Sequence, residues 1–389
     1  MRSNTLSLIL TLALLLCGTA VHAGWEEGVA ALKKNDYATA AKEFKTVVEA
    51  QPEWAPGQRM LGQVLVKLGR TDEALGHLRK AYDLDPADTA TQFALGQAYV
   101  EAKRYADGAS ILGKLDRSKL RGSQPAVLDQ LLAVALSKSG QSGQALSALA
   151  RAASSSPNDS KVQYQYGVAA LNNGDLGDAI KALDKSVGLK PNGDNRKALV
   201  QALMQQGRRT AGSSKTESYR RATEVAKALA ADNASYDNLM MLAGAALGGK
   251  DFDAVISAAD RASRMNSGDW LPAYYKGQAY TKKEQYSSAE KELRTALDKA
   301  SKSADRTTVL SQLGFVYEKR KAYDDAIAAY RQAGNNGAAD RVAKNKETQE
   351  FNADVEATNA EIEALRREEE ELKKALQALP GSSDPPFLF

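Results

Sequence analysis

The sequence has little of what most catalytic and metal sites are built from. Its 389 residues include one cysteine, Cys17, and two histidines, and aromatic residues make up only 6%. A single cysteine excludes a disulfide within the chain and a zinc site built from several thiolates. The sequence contains no Gly-x-Ser-x-Gly nucleophile motif, phosphate-binding Gly-x-x-x-x-Gly-Lys-Ser loop or His-Glu-x-x-His zinc motif. We therefore predict a protein that is not an enzyme and that uses no cofactor or metal, and we interpret His77 as a solvated or packed histidine.

The charged residues are balanced and point to no charged partner. There are 52 basic and 48 acidic residues, which give a formal net charge of +4. Nucleic-acid-binding proteins usually concentrate their basic residues in one stripe, and none is visible here, so we expect no nucleic acid partner. We interpret the one basic cluster as a solvated loop and helix start, with anionic lipid or a carboxylate-rich partner as the alternative. Its members are Arg208, Arg209, Lys215, Arg220 and Arg221.

The N-terminal segment has the pattern of an export signal. Arg2 provides a positive start, residues 6–16 form an apolar run, and a small-residue cleavage site ends at Ala23. The run is shorter than the roughly 20 apolar residues that span a bilayer. We predict that residues 1–23 are a cleaved signal peptide and that the protein is periplasmic or otherwise exported. Lipidation at Cys17 is a less favoured alternative, because the residue before it is a leucine and not a small residue.

A repeat of 34 residues dominates the rest of the chain. A small residue recurs, a second small residue follows it by twelve positions, and a larger apolar residue follows by four more. We expect the small residues to lie where two antiparallel helices approach closely, and the larger ones to fill the gap to the next hairpin. The small-residue positions are Gly28, Ala40, Gly62, Ala74, Gly96, Gly167, Ala179, Gly277, Ala289, Gly314 and Ala326.

This pattern resembles the tetratricopeptide repeat (TPR) family over residues 24–340, and with the N-terminal segment it suggests an exported bacterial member. The resemblance implies an all-α fold: a right-handed α-solenoid of about nine stacked helix-turn-helix units, followed by a long C-terminal helix. Most units lack the large aromatic residue early in the first helix. The sixth unit is degenerate, and we predict that its hairpin is longer by about nine residues, at 207–215, with the composition of a flexible turn.

The resemblance also implies a binding surface, because in this family the first helices line a concave face that binds extended peptides or partner helices. Threading the repeat places Arg59, Gln63, Lys67, Phe93, Gln97, Gln130, Tyr164, Tyr274 and Gln278 on that face, beside Val134 and Val168. Ordinary solvent-facing helix is the alternative for each of them. Relatives that clamp chaperone tails need Lys and Asn at set places on adjacent first helices. Here these places hold Arg59 and Gln63, then Phe93 and Gln97, which disfavours a chaperone-tail role.

Residues 341–379 read as one long charged helix, and 380–389 as a disordered tail. Apolar residues recur on two neighbouring rows with seven-residue spacing: Val355, Ile362 and Leu376 on one, Leu365, Leu372 and Leu379 on the other. Two interpretations stay open, a cap over the last repeat or self-association through 351–379 as a coiled coil.

We expect a non-enzymatic, protein-binding scaffold of the periplasm or cell envelope. Its groove would hold peptides or partner helices in an export, assembly or surface-structure machine. One alternative is a structural oligomer held by the C-terminal helix. Another is a glycan-polymer-binding export factor, in which Tyr164, Tyr274 and Tyr275 would stack on sugars.

Overall fold

The computed structural model describes residues 21–378, and this part of the chain is all helical, with no strand. The predicted core of the signal peptide, Cys17, Leu379 and the predicted tail lie outside the described residues. Eighteen α-helices precede one long α-helix. They are α1 (21–33), α2 (Tyr37–Ala50), α3 (Ala55–Lys67), α4 (Thr71–Leu84), α5 (Thr89–Glu101), α6 (Tyr105–Gly113), α7 (Gln124–Lys138), α8 (Ser142–Ser155), α9 (Ser160–Asn173), α10 (Leu176–Leu189), α11 (Gly193–Arg209), α12 (Gly212–Asp232), α13 (Tyr236–Gly248), α14 (Phe252–Met265), α15 (Leu271–Lys282), α16 (Tyr286–Lys299), α17 (Ser303–Lys319), α18 (Tyr323–Gln332) and α19 (Asn336–Gln377). A short 3-10 helix (Arg117–Lys119) lies in the connection between α6 and α7.

These helices divide into two compact units with a boundary inside α11. Unit 1 ends at Gln206 and unit 2 begins at Gly207. Within each unit, consecutive helices pack against one another as stacked pairs. The predicted all-α solenoid of helix-turn-helix units is confirmed. Within residues 21–378, no helix is both long enough and apolar enough to cross a lipid bilayer.

The recurring glycines are the points of closest approach between the two helices of a pair. A Cβ atom built on Gly62 would lie 2.5 Å from Cγ of Leu78, sixteen residues later on the second helix. The alanine twelve residues after a packing glycine has no exposed surface where we expected close contact, as at Ala74. The same glycine contact occurs at Gly28, Gly96, Gly167, Gly277 and Gly314, and the same burial at Ala40, Ala179, Ala289 and Ala326.

The large side chain of each repeat does more than we predicted. We expected it to fill the gap to the next hairpin, and Leu78 does share a core cluster with Ala94 and Leu95 of α5. It also packs directly onto Gly62 of its own hairpin. One leucine therefore holds its own pair together and joins that pair to the next one. This explains why the glycine and the leucine recur in register.

The predicted flexible turn at 207–215 is wrong. The extra residues lengthen the helices, so that α11 has 17 residues and α12 has 21. Gly207 and Gly248 leave room for the buried ring of Tyr219, because a Cβ on Gly207 would lie 2.6 Å from Tyr219 Cε2. Arg220 of the basic cluster pairs with Glu217 at 2.7 Å on the same helix. Aromatic packing and ion pairs three to four residues apart therefore support a helix in this segment.

The first turns of α19 close the end of unit 2. Ala339 and Val342 are fully buried in the cluster that they share with α16–α18. On its outer side, Arg341 pairs with Glu318 at 2.6 Å. The remainder of the helix, residues 347–378, is exposed along its whole length. The capping interpretation therefore describes only the start of α19.

Candidate functional site

In each unit the first helices of successive pairs form an inner layer. In unit 1, α3 contacts α5 and α5 contacts α7, while in unit 2, α13 contacts α15 and α15 contacts α17. Among the described residues, the second helices of successive pairs make no comparable contacts. The first helices of successive pairs approach one another, whereas the second helices stay apart. The first helices therefore form the inner side of the stack. We call the surface of the first helices the inner face.

One groove on the inner face of unit 1 brings together three of the predicted residues. Gln63 and Lys67 of α3 and Gln97 of α5 line this first groove, which has a volume of about 310 Å³. The turn between α1 and α2 closes one end, where the hydroxyl of Tyr37 donates to Oδ1 of Asn35 at 3.0 Å. Its walls are therefore amides, one ammonium group and one phenol, above an apolar floor.

A second groove of about 390 Å³ lies on the same face between α7, α8 and α9. The predicted residues Tyr164, Val134 and Val168 line it, together with Lys138 and Asn172. Burial raises the pKa of the Tyr164 hydroxyl, and the nearby Asp194 carboxylate adds to this rise. The phenol therefore stays protonated near neutral pH and is able to donate a hydrogen bond to a ligand.

Three other predicted residues line neither groove. Arg59 lies beside Asp88, with Nε to Oδ2 at 3.4 Å, and this Nε is buried without a hydrogen-bond partner. The ring of Phe93 packs against the core cluster that contains Leu112. Gln130 is half-buried on α7. The structure therefore gives Arg59 and Phe93 internal contacts within unit 1.

In unit 2 the predicted residues contact one another. Gln278 donates from Nε2 to the hydroxyl of Tyr274 at 3.0 Å. The Tyr274 ring lies 5.4 Å from Trp270 and 6.4 Å from Tyr275, measured between ring centroids. Burial raises the pKa of both tyrosines. Aromatic packing thus occupies much of the surface that Tyr274 would offer to a sugar ring or a peptide.

Our sequence analysis missed one aromatic residue of the inner face. Phe315 of α17 is 39% exposed, and Lys319 Nζ lies 5.5 Å from the centre of its ring. Phe315 directly follows the packing glycine Gly314, just as Gln63 follows Gly62. The register of the repeat was the signal that could have identified it.

The glutamines early in three first helices replace the aromatic residue that most units lack. Gln58 donates from Nε2 to the Pro52 carbonyl at 2.8 Å, and its Oε1 lies 2.8 Å from Nδ1 of His77. Gln92 and Gln163 donate in the same way to Pro86 and Pro157.

Burial lowers the pKa of His77. Its neighbours are therefore those of a packed histidine, and within residues 21–378 no group of histidine, cysteine and carboxylate side chains could hold a metal ion.

Stacked helix pairs with an open inner layer define an α-helical repeat protein. The family model of the tetratricopeptide repeat matches residues 25–89, 131–194 and 274–340, and a second model of the same repeat matches 65–129. The chain belongs to the tetratricopeptide repeat family. Neither model describes an enzyme, and this membership supports a scaffold for interactions with other proteins.

Solved structures of other proteins are similar to the chain at low identity. One is YrrB, described as a TPR protein with an unusual peptide-binding site, at 22% identity over 48% of this chain and 93% of that one, with a TM-score of 0.41. Another is the APC/C hetero-tetramer Cut9–Hcn1, at 13% identity over 82% and 89%, with a TM-score of 0.38. No curated protein matches the chain. These similarities carry no functional assignment.

Proposed function

We propose that this protein is a non-enzymatic scaffold whose first and second grooves in unit 1 bind extended segments of partner proteins. One observation carries the proposal: Gln63, Lys67 and Gln97, from two successive first helices, line a single open groove. A row of side chains on adjacent first helices is a continuous track for an extended chain.

The chemistry of the grooves suits a peptide. Glutamine and asparagine amides both donate and accept hydrogen bonds, as the peptide backbone does. The apolar side chains of Val66 in the first groove and Val168 in the second offer anchor area. A bound segment would therefore use its backbone for the amides and one or two apolar side chains for the floor.

Charge adds a preference for acidic segments. Lys67 and Lys138 each line one groove and make no ion pair within residues 21–378. Each follows the packing residue of its repeat by five positions, and Lys33, Lys282 and Lys319 stand at the same place in other repeats. Carboxylates on the partner would meet ammonium groups in both grooves of unit 1.

The proposal includes a location in the periplasm or cell envelope, within an export, assembly or surface-structure machine. The signal pattern of residues 1–23 supports this location. Mass spectrometry of the protein purified from its host tests it. We expect a chain that starts after Ala23, whereas a retained Met1 would contradict export and a lipid mass at Cys17 would show a lipoprotein instead.

Crosslinked affinity purification from the same host tests the grooves. The groove variant carries Lys67→Ala with Gln97→Ala. The matched control, Lys45→Ala with Gln144→Ala, removes the same two side-chain types from exposed positions on the second helices α2 and α8. We expect protein partners to be lost in the groove variant and kept in the control. Equal recovery from both variants, or recovery of glycan polymer in place of protein, would contradict the proposal.

A further inference from the structure

The part of α19 beyond its capping turns exposes a row of large apolar side chains. We call residues 350–378 the distal segment. Phe351 is 67% exposed, Leu365 64% and Leu376 67%, and the row also includes Val355, Ile362 and Leu372. A helix that leaves its apolar stripe in water gains little stability from packing, although packing is what stabilises most helices in proteins. The row therefore requires a partner surface.

The spacing of the row is that of a coiled coil. Counted from Phe351, its positions advance alternately by four and three residues through 355, 358, 362, 365, 369, 372 and 376. In heptad terms, positions a hold Val355, Ile362 and Leu376, while positions d hold Leu365 and Leu372. Val355 and Ile362 are β-branched, and β-branched residues at a with leucine at d favour two parallel strands over higher oligomers.

We propose that the distal segment binds the same segment of a second copy of this chain, as a parallel, in-register, two-stranded coiled coil. The charged residues that flank the row favour this occupant. Glu361 and Glu368 stand at positions g, and Arg366 and Lys373 at the positions e that follow them, and all four are exposed. In a parallel dimer, Glu361 faces Arg366 of the second copy and Glu368 faces its Lys373.

The opposite orientation lacks this complementarity. In an antiparallel pair, positions g face g and positions e face e, so that glutamates would oppose glutamates and Arg366 and Lys373 would oppose each other or themselves. Charge therefore selects the parallel arrangement. It also selects a second copy of this chain, because one helix carries both halves of each ion pair.

Two positions of the row moderate the affinity. Thr358 stands at a position d, and Glu369 at a position a, where it would face Glu369 of the second copy. In the single chain, Glu369 pairs with Lys373 at 2.6 Å on the same helix. Two carboxylates facing each other across the axis oppose association, so Glu369→Leu should tighten the dimer by at least tenfold.

Disulfide crosslinking tests the register and the orientation. In a chain with Cys17→Ser, Thr358→Cys places a thiol at the proposed interface, and Ala360→Cys places one two residues away on the outer face. Mild oxidation should link two copies of the Thr358→Cys chain and leave the Ala360→Cys chain largely single. Equal crosslinking at both positions, or none at Thr358→Cys, would overturn the parallel, in-register arrangement.

Sedimentation equilibrium on charge-reversed variants tests the choice of partner. Arg366→Glu with Lys373→Glu should weaken self-association, as should Glu361→Lys with Glu368→Lys. A mixture of the two variants should restore a dimer that contains one copy of each. We expect twice the chain mass for the wild type and the Glu369→Leu variant at tens of micromolar. A monomer for both, a trimer, or a mixture that stays monomeric would overturn the proposal.

Discussion

The helix-pair array and the distal segment of α19 both carry apolar residues at regular helical spacing, but only the array buries them. Leu78 and Leu293 of the array have no exposed surface, whereas Leu372 and Leu376 of the distal segment are two-thirds exposed. In the array, consecutive helices within each unit pack against one another and cover these side chains. The distal segment has no such neighbour among residues 21–378.

The array and the distal segment differ in the residues that accompany their large apolar side chains. Array helices pair each large side chain with a glycine or alanine on the adjacent helix, as Leu293 packs on Gly277. The distal segment places charged residues beside its apolar row instead, which suits a narrow seam between two helices. Similar apolar periodicity is thus buried within the chain in the array, whereas in the distal segment it stays exposed, where we propose that a second copy binds.

The largest expected effect breaks the array at a glycine. Gly62→Ala places a methyl group 2.5 Å from Leu78 Cγ and should lower the free energy of unfolding by about 3 kcal/mol through overpacking. Gly76→Ala is the matched control, because a Cβ there meets nothing within 4 Å. It should raise stability by about 0.5–1 kcal/mol, since alanine favours the helix. Urea unfolding followed by circular dichroism measures both, and equal effects would contradict this packing scheme.

Two valines of α19 sharpen the comparison within one helix. Val342 is fully buried, whereas Val355 is 42% exposed. Val342→Ala should destabilise unit 2 by about 2 kcal/mol, because it removes two buried methyl groups and leaves a cavity. Val355→Ala should change the unfolding of dilute protein by less than about 0.5 kcal/mol. Thermal unfolding at low concentration is the measurement, and a larger loss from Val355→Ala would show that the distal segment packs within its own chain.

We expect a smaller effect at the ion pair between Arg341 of α19 and Glu318 of α17. The hydrogen bond from Arg341 holds the pKa of the Glu318 carboxyl below its usual 4.5. This pair therefore contributes stability above the unfolded pKa, and the contribution is lost as the pH falls through the lower folded value. Glu318→Gln should reduce the acid sensitivity of unit 2 between about pH 5 and pH 3. Thermal melts across that range measure it, and parallel pH profiles for the two proteins would contradict the assignment.

The smallest effect concerns His77. Because burial lowers its pKa below 6.5, the folded protein binds fewer protons there than the unfolded chain. Stability should therefore be complete above about pH 6.5 and should decline as the pH falls toward the folded pKa. His77→Gln should flatten the urea midpoint between about pH 7 and pH 5. An unchanged slope would show that His77 is solvated.

Much of the array could be predicted from the sequence, because its packing rests on one recurring contact. The spacing of Gly62, Ala74 and Leu78 specifies two helices and their closest approach, and the same spacing recurs along the chain. Our prediction of a flexible turn at 207–215 was wrong, because the glycines and serines of this segment suggested a turn. Sequence alone did not reveal that Gly207 makes room for the buried Tyr219.

The candidate site was harder to predict than the fold. Register places a residue on the inner face, but it does not show what the side chain contacts there. Gln63 and Gln97 line a groove, whereas Phe93, four residues before Gln97, packs into the core. Lys138 and Phe315 were missed because we weighed amides and tyrosines and did not follow each register position through all the repeats.

Site-specific photocrosslinking tests the central claim, binding on the inner face of unit 1, most directly. A photoreactive amino acid would replace Gln97 in the first groove, Val168 in the second, or the exposed Lys45 and Gln144 on the second helices. We predict crosslinks to the same partner protein from Gln97 and Val168, and none to it from Lys45 and Gln144. Crosslinks confined to the second helices would place binding on the opposite face and contradict the account.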